Sequence, residues 1–294
     1  MKSLNAKEIL DFQKTIYGYY KKHGRTLPWR FVKNPYKIFV SEVMLQQTQV
    51  SRALQKYPPF IKKFPNIHAL ARASFSEVLK AWSGLGYNRR AKFLHEAAKI
   101  IVKKYQGIIP QNVEMLGALP GIGEGTAGAI LAFAFNKSAV FIETNIRSVF
   151  IHYFFDLAKT DLRHSHPAKS GMRMSFQQEK IHDKKILSLI EKTLDRKNPR
   201  EWYYALVDYG VYIKSLHVNP NQKSAHYAKQ SPFQNSNRQI RGEILKLLVT
   251  RKSVLKAKIK KHLTGNIKLI NNALQELTRE RFIKKCGDSI CLSA

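Results

Sequence analysis

The stretch LGALPGIGEGTAGAILAFAFNKSAVFIETNIR, residues 116–147, contains the turn Leu119-Pro120-Gly121-Ile122-Gly123, on which the reading of this chain hinges. A Gly-x-Gly turn entering an apolar run, here Thr126 to Phe135, points several backbone N–H groups in one direction at a helix N-terminus. Such a group holds a phosphate without any side chain. The chain carries 51 Lys and Arg against 20 Asp and Glu, a formal net charge of +31, so the phosphate expected is that of nucleic acid. Glu143, Asn145 and Arg147 follow the apolar segment, where a polar site would stand beside the bound phosphate. Two glycines also suit an ordinary corner between two helices, and taken alone they leave both readings open.

At 294 residues and 44% hydrophobic content, the chain is long enough for two or more domains with real cores. No apolar run nears the roughly 20 residues of a membrane span. Met1–Lys7 leads straight into a helical pattern rather than a signal peptide, so a cytoplasmic, nucleoid-associated location is expected. So high a charge would also attract an anionic membrane, but no basic amphipathic segment with an aromatic anchor stands out. Nucleic acid is therefore the expected partner, and a membrane is not. Cys286 and Cys291 could pair or bind metal; without nearby histidines they read as packing residues in a reducing compartment, and no metal site is expected.

Most of residues 5–215 reads as helix. Ile9, Phe12 and Ile16 recur at helical spacing, as do Val43, Leu45 and Val50, then Val78, Trp82, Leu94, Ala97 and Ile101. Breaks are expected at Gly24–Pro28, Asn34-Pro35, Pro58-Pro59, Phe64-Pro65, Gly84–Gly86, Gly107–Pro110 and Pro120–Gly125, which suits short helices in an all-α domain. Residues 158–185 are polar and basic and read as a mobile insertion with solvated histidines, His164, His166 and His182. Residues 217–237, rich in Asn, Ser and Pro, read as a linker. Beyond it, Ile240–Thr250, Val254–His262 and Asn266–Arg281 are amphipathic helical patterns. Two alternating segments then flank Gly287-Asp288, a hairpin signal. Three helices and a hairpin predict a winged helix over 238–294, of a kind used on DNA or for protein contacts.

Two carboxylates stand out among so many bases, Glu42 and Glu143, although each alone reads as a solvated surface acid. Around them, in order, stand Leu27-Pro28-Trp29-Arg30, Asn34-Pro35-Tyr36, SEVMLQQTQV (41–50), Phe64-Pro65, Trp82-Ser83-Gly84-Leu85-Gly86-Tyr87, LPGIGEGTAGAI (119–130) and Glu143-Thr144-Asn145. This series resembles the MutY family of adenine DNA glycosylases, within the helix-hairpin-helix base-excision superfamily that also includes endonuclease III. The LPWR and SEVMLQQTQV pair is specific to the MutY branch; the hairpin marks only the superfamily.

The resemblance, covering residues 5–215, implies a two-lobed helix-hairpin-helix glycosylase domain over 1–216. Its partner would be duplex DNA with a mispaired or damaged base, bound by a monomer. Glu42 matches the acid that protonates the adenine leaving group, and Glu143 the catalytic aspartate that supports the cationic sugar. Cleaving an N-glycosidic bond of a flipped base calls for such a pair. Gln47 and Tyr87 match residues that wedge into the duplex. Leu119, Gly121, Gly123, Gly125 and Thr126 match the phosphate clamp, with Arg147 also assigned to DNA and a monovalent cation possible at the hairpin. Arg25, Trp29, Arg30, Leu45, Val50 and Asn145 are assigned to the pocket for the base.

The departures are as informative. Glu143 is one methylene longer than the family's aspartate. The four cysteines of the family's iron–sulfur loop are absent, so no cofactor is expected, and a winged helix stands where the family has a Nudix-like reader of oxidised guanine. Gly125 replaces the hairpin lysine that endonuclease III uses as a Schiff-base nucleophile, so a monofunctional glycosylase is expected. Two rivals stay open: a glycosylase for hypoxanthine, uracil or an alkylated purine, and a catalytically weak protein that binds distorted duplex.

Overall fold

The computed structural model describes residues 4–155, 180–216, 218–230, 232–251, 253–263 and 266–293. Most of the expected insertion, with His164 and His166, lies outside the described residues.

Local signals start most of the helices. A capping box of Asn5 and Glu8 opens α1 (Ala6–His23), and Asn34 caps α2 (Pro35–Leu45) with Pro35 in its first turn. α3 (Val50–Lys63) runs through Pro58 and Pro59, where the sequence predicts a break. The lost backbone bonds are offset by burial of Tyr57 and Phe60, so packing overrides the proline signal. Asn66 caps α4 (Ile67–Arg72), and a Ser74–Glu77 capping box opens α5 (Phe75–Trp82). α6 (Arg89–Tyr105) stops at left-handed Gln106 and Gly107, and Asn112 caps α7 (Val113–Gly117). Beyond its first turn α8 (Glu124–Phe135) is apolar on every side, and Ala127–Ala134 are buried. α9 (Thr144–Phe154), α10 (Asp183–Thr193) and α11 (Pro199–Leu216) follow, then a 3-10 turn at Pro220–Lys223.

The C-terminal stretch is α12 (Asn237–Arg251), β1 (Ser253–Leu255), α13 (Lys256–His262), α14 (Ile267–Arg279), β2 (Ile283–Cys286) and β3 (Ser289–Leu292). Its sheet is antiparallel in the order β1-β3-β2. Val254, expected to open a helix, lies in β1 because its backbone pairs with Ile290. Gly287 turns the β2–β3 hairpin at positive φ, and Cys286 and Cys291 form a disulfide across it rather than packing as free thiols. No helix among the described residues is long and apolar enough to cross a membrane.

The chain divides into two compact units, Met1–Thr26 with Glu124–Lys229, and Leu27–Gly123 with Gln230–Ala294. In the first, Phe12 sits edge-on to Phe150, Tyr153, Phe154 and Trp202 at 5.1–5.8 Å. There α9 and α11 touch so closely that a Cβ on Gly210 would fall 2.2 Å from the Asn145 carbonyl oxygen. Part of the expected linker belongs to this core. Asn221 and Ser224 are buried, and Asn221 Nδ2 donates to Thr144 O (3.0 Å) and to Ser148 Oγ. Ile181, expected in the mobile insertion, is likewise buried and bridges to Ser224. In the second unit Phe39, Met44, Phe60 and Trp82 are fully enclosed.

Candidate active site

The hairpin is built from inside outwards. Leu116, Leu119 and Ile122 are buried, so the contribution of Leu119 to any ligand is its backbone rather than its side chain. The Leu119 amide donates to Leu116 O at 3.0 Å, and the Ile122 amide to Leu119 O at 3.2 Å. Gly121 takes φ +76°, and a Cβ there would lie 2.8 Å from Phe93 Cβ, so both backbone and space require glycine. Its carbonyl accepts from Gln46 Nε2 at 3.2 Å, tying the hairpin to the end of α2. Gly125 and Thr126 stand in the first turn of α8, whose leading amides lack intrahelical acceptors. Gly121→Ala should therefore cost about 1–3 kcal/mol in urea unfolding, whereas Gly123→Ala, with open space at its Cβ, should be nearly neutral. Equal stabilities of the two variants would remove this account of the turn.

Glu42 lies on α2, partly exposed between the buried Ser41 and Val43. Two residues expected at the duplex share an uncommon feature: Gln47 has φ 50° and Tyr87 φ 46°, both left-handed without being glycine. Each costs about 1–3 kcal/mol, a cost kept where the surroundings hold the geometry and the site uses it.

What holds both turns is Arg90, which sequence reasoning missed. Its guanidinium donates to Val43 O (3.0 Å), Met44 O (2.7 Å), Thr48 Oγ1 (2.8 Å), Leu85 O (3.3 Å) and Gly86 O (3.2 Å). It thereby satisfies end carbonyls of α2 and joins the Gln47 turn to the Tyr87 turn. Arg90 is buried; desolvation pulls its pKa down to about 10, which still leaves it charged at neutral pH. A signal was available: Arg89 and Arg90 open α6, where the helix dipole disfavours cations. Among the residues expected around the base, Trp29 is buried edge-on to Tyr57 at 5.4 Å, while Arg30, Leu45 and Val50 are partly exposed.

In the other unit Glu143 caps α9 with its own side chain. Oε1 accepts from the amides of Asn145 (2.8 Å) and Ile146 (2.9 Å), and Oε2 from Asn145 Nδ2 (3.0 Å). The carboxylate is thus folded back onto its own helix. Asn145, expected in the base pocket, holds Glu143 through its amide and its side chain. The residue keeps some exposure, yet desolvation of its carboxyl raises the pKa, against the two amides, Lys214 and Arg147, which pull it down. Lys214, on α11, also went unnoticed in the sequence. Burial lowers its pKa, with the neighbouring Glu143 raising it and Arg25 lowering it. The Arg25 head group donates to buried Asp208 at 2.7 Å, and Arg147 forms a two-pronged pair with Asp183 at 2.8 and 2.7 Å. Arg25, expected in the base pocket, and Arg147, expected at DNA, each pair with a carboxylate of their own unit.

The family's iron–sulfur cluster has no fit in these residues. A cluster needs four thiolates; the stretch after α11 has no cysteine and is closed by the Asn221 and Ser224 hydrogen bonds.

Residues 40–170 match the HhH-GPD superfamily of base excision DNA repair proteins. The chain is 39% identical over 216 residues to an adenine DNA glycosylase of Buchnera aphidicola subsp. Baizongia pistaciae, covering 72% of this chain and 55% of that protein. It is 42% identical over 135 residues to an adenine DNA glycosylase of Mycobacterium tuberculosis, covering 46% of this chain and 44% of that one. The chain spans about half the length of the curated relatives it matches. In three dimensions it is similar to a thermostable thymine-DNA glycosylase, with a TM-score of 0.59, 24% identity, and coverage of 74% of this chain and 93% of that one.

Proposed function

We propose, on the premise that this chain is a MutY-like helix-hairpin-helix protein of the HhH-GPD base excision superfamily, that it is a monofunctional adenine DNA glycosylase. It would bind duplex DNA as a monomer in the nucleoid and hydrolyse the N-glycosidic bond of a flipped adenine opposite guanine or oxidised guanine, without a metal cluster. One observation carries this reading: Glu42 stands on α2, whose end at Leu45 leads into the Gln47 turn, and one buried arginine joins that turn to the Tyr87 turn, both at left-handed φ.

In this reading Glu42 gives its proton to the departing base as the C–N bond breaks and its electron pair leaves with the adenine. The anionic Glu143, with its oxygens already oriented, supports the positive charge left on the sugar. Water then adds to the sugar carbon, and Glu42 takes up the released proton. The backbone of Leu119–Gly125 and Thr126 holds a phosphate. Residues 237–293, in the order helix, strand, two helices, two strands, support a winged helix whose lysines would add phosphate contacts. Glu143 held at both oxygens favours a second reading, a slow enzyme that chiefly binds distorted duplex.

The test is to incubate the purified chain with duplexes carrying single defined mispairs, then reveal abasic sites with alkali. Strand scission only after alkali, at the adenine opposite guanine or oxidised guanine, is the expected result. Scission without alkali removes the monofunctional assignment, release of another base changes the substrate, and tight binding without release selects the second reading.

A further inference from the structure

The hydroxyl of Tyr87 accepts hydrogen bonds from Arg238 and Gln230, both in the C-terminal stretch and in the same unit as Tyr87. The Arg238 guanidinium also lies over the Tyr87 ring, 5.3 Å from its centre, while that of Arg90 lies 5.5 Å from the same ring. Two guanidiniums thus stack on the ring of a residue whose backbone sits at φ 46°. Arg238 is set at the start of α12, and α12 does not float. Glu280 accepts from Arg241 of α12 (2.6 and 3.1 Å) and from Arg89 of α6, two positions beyond Tyr87. Phe282 is fully buried against Phe75 of α5, with Lys92 and Arg241 over its ring. The C-terminal stretch therefore packs on the two helices that flank the Tyr87 turn.

We propose that Arg238 is a positioning residue that fixes Tyr87 in the conformation with which it probes the duplex, so that the C-terminal stretch governs lesion discrimination through this turn. The inference rests on the reading of Tyr87 as a duplex wedge given above. It assigns Arg238 a role different from phosphate binding, and the two roles make opposite demands on its replacement. A planar guanidinium stacked on a ring is not replaced by an ammonium, whereas a phosphate contact is largely kept by lysine.

The test uses the full chain and the variants Arg238→Ala, Arg238→Lys and Tyr87→Ala, with thermal melting to confirm that each is folded. Amide hydrogen exchange of residues 83–90 in the free protein should quicken by about fivefold in Arg238→Ala, and by a similar factor in Arg238→Lys. The preference for mispaired over fully paired duplex should fall about tenfold in both, with affinity for paired duplex kept, and Arg238→Ala should add nothing in the Tyr87→Ala background. Unchanged exchange in 83–90, or an equal loss of affinity for both duplexes that lysine restores, would overturn the proposal. If the parent chain shows no preference for a mispair, it is the reading of Tyr87 as a wedge that fails. The exchange result then still decides whether Arg238 holds the turn.

Discussion

Glu42→Gln should slow base release by about a thousandfold in single-turnover assays while leaving duplex affinity unchanged. The amide has the shape of the acid and takes the same partly exposed place on α2. What it lacks is a proton to give to the leaving base. The measurement pairs rapid-quench kinetics on a mispaired duplex with anisotropy titration of the same duplex. A variant that turns over like the parent takes Glu42 out of the chemistry. One that loses binding and rate together makes Glu42 a contact rather than an acid.

Glu143→Gln is expected to separate activity from stability. Desolvation raises the pKa of Glu143, so the folded chain holds this proton more tightly than the unfolded chain does. The resulting stability is fully present below the unfolded-state value and is lost as pH rises through the raised folded value. In the proposed reaction catalysis runs the other way, because only the anion, which accumulates above that value, would support a cationic sugar. Glutamine keeps a carbonyl to accept from the amides of Asn145 and Ile146, and the Asn145 side chain can turn to offer its oxygen to the new NH₂. The cap thus survives without a buried charge. Base release should fall by about a hundredfold or more. The melting temperature at neutral pH should match or exceed the parent's, and the dependence of stability on pH above the ordinary glutamate range should flatten. Parent-like release would show that this carboxylate is not catalytic, and an unaltered pH slope of stability that it is not desolvated in the way described.

Alone, the sequence determined what short-range forces decide. Asn5, Asn34, Ser74 and Asn112 cap helices because a side-chain oxygen meets an amide two or three positions on. Gly121 marks the hairpin because only glycine sits there without strain, and Gly287 marks the terminal turn for the same reason of positive φ. The charge and the order of the motifs were legible too, and with them the family. Tertiary structure decided which polar group answers which. Arg90 reaches carbonyls 46 and 47 residues away, Arg238 a hydroxyl 151 residues away, and Asn221 a carbonyl 77 residues away. Arg25 and Arg147 meet Asp208 and Asp183 only because the fold brings those carboxylates beside them. Tyr57 and Phe60 carried α3 through two prolines by burial, with the Tyr57 hydroxyl also donating to Lys37 O. Caps and turns act within a few residues of the chain, so they are written locally. A buried charge must instead find its partner wherever packing places one, and the helix packing that does so has no local signature.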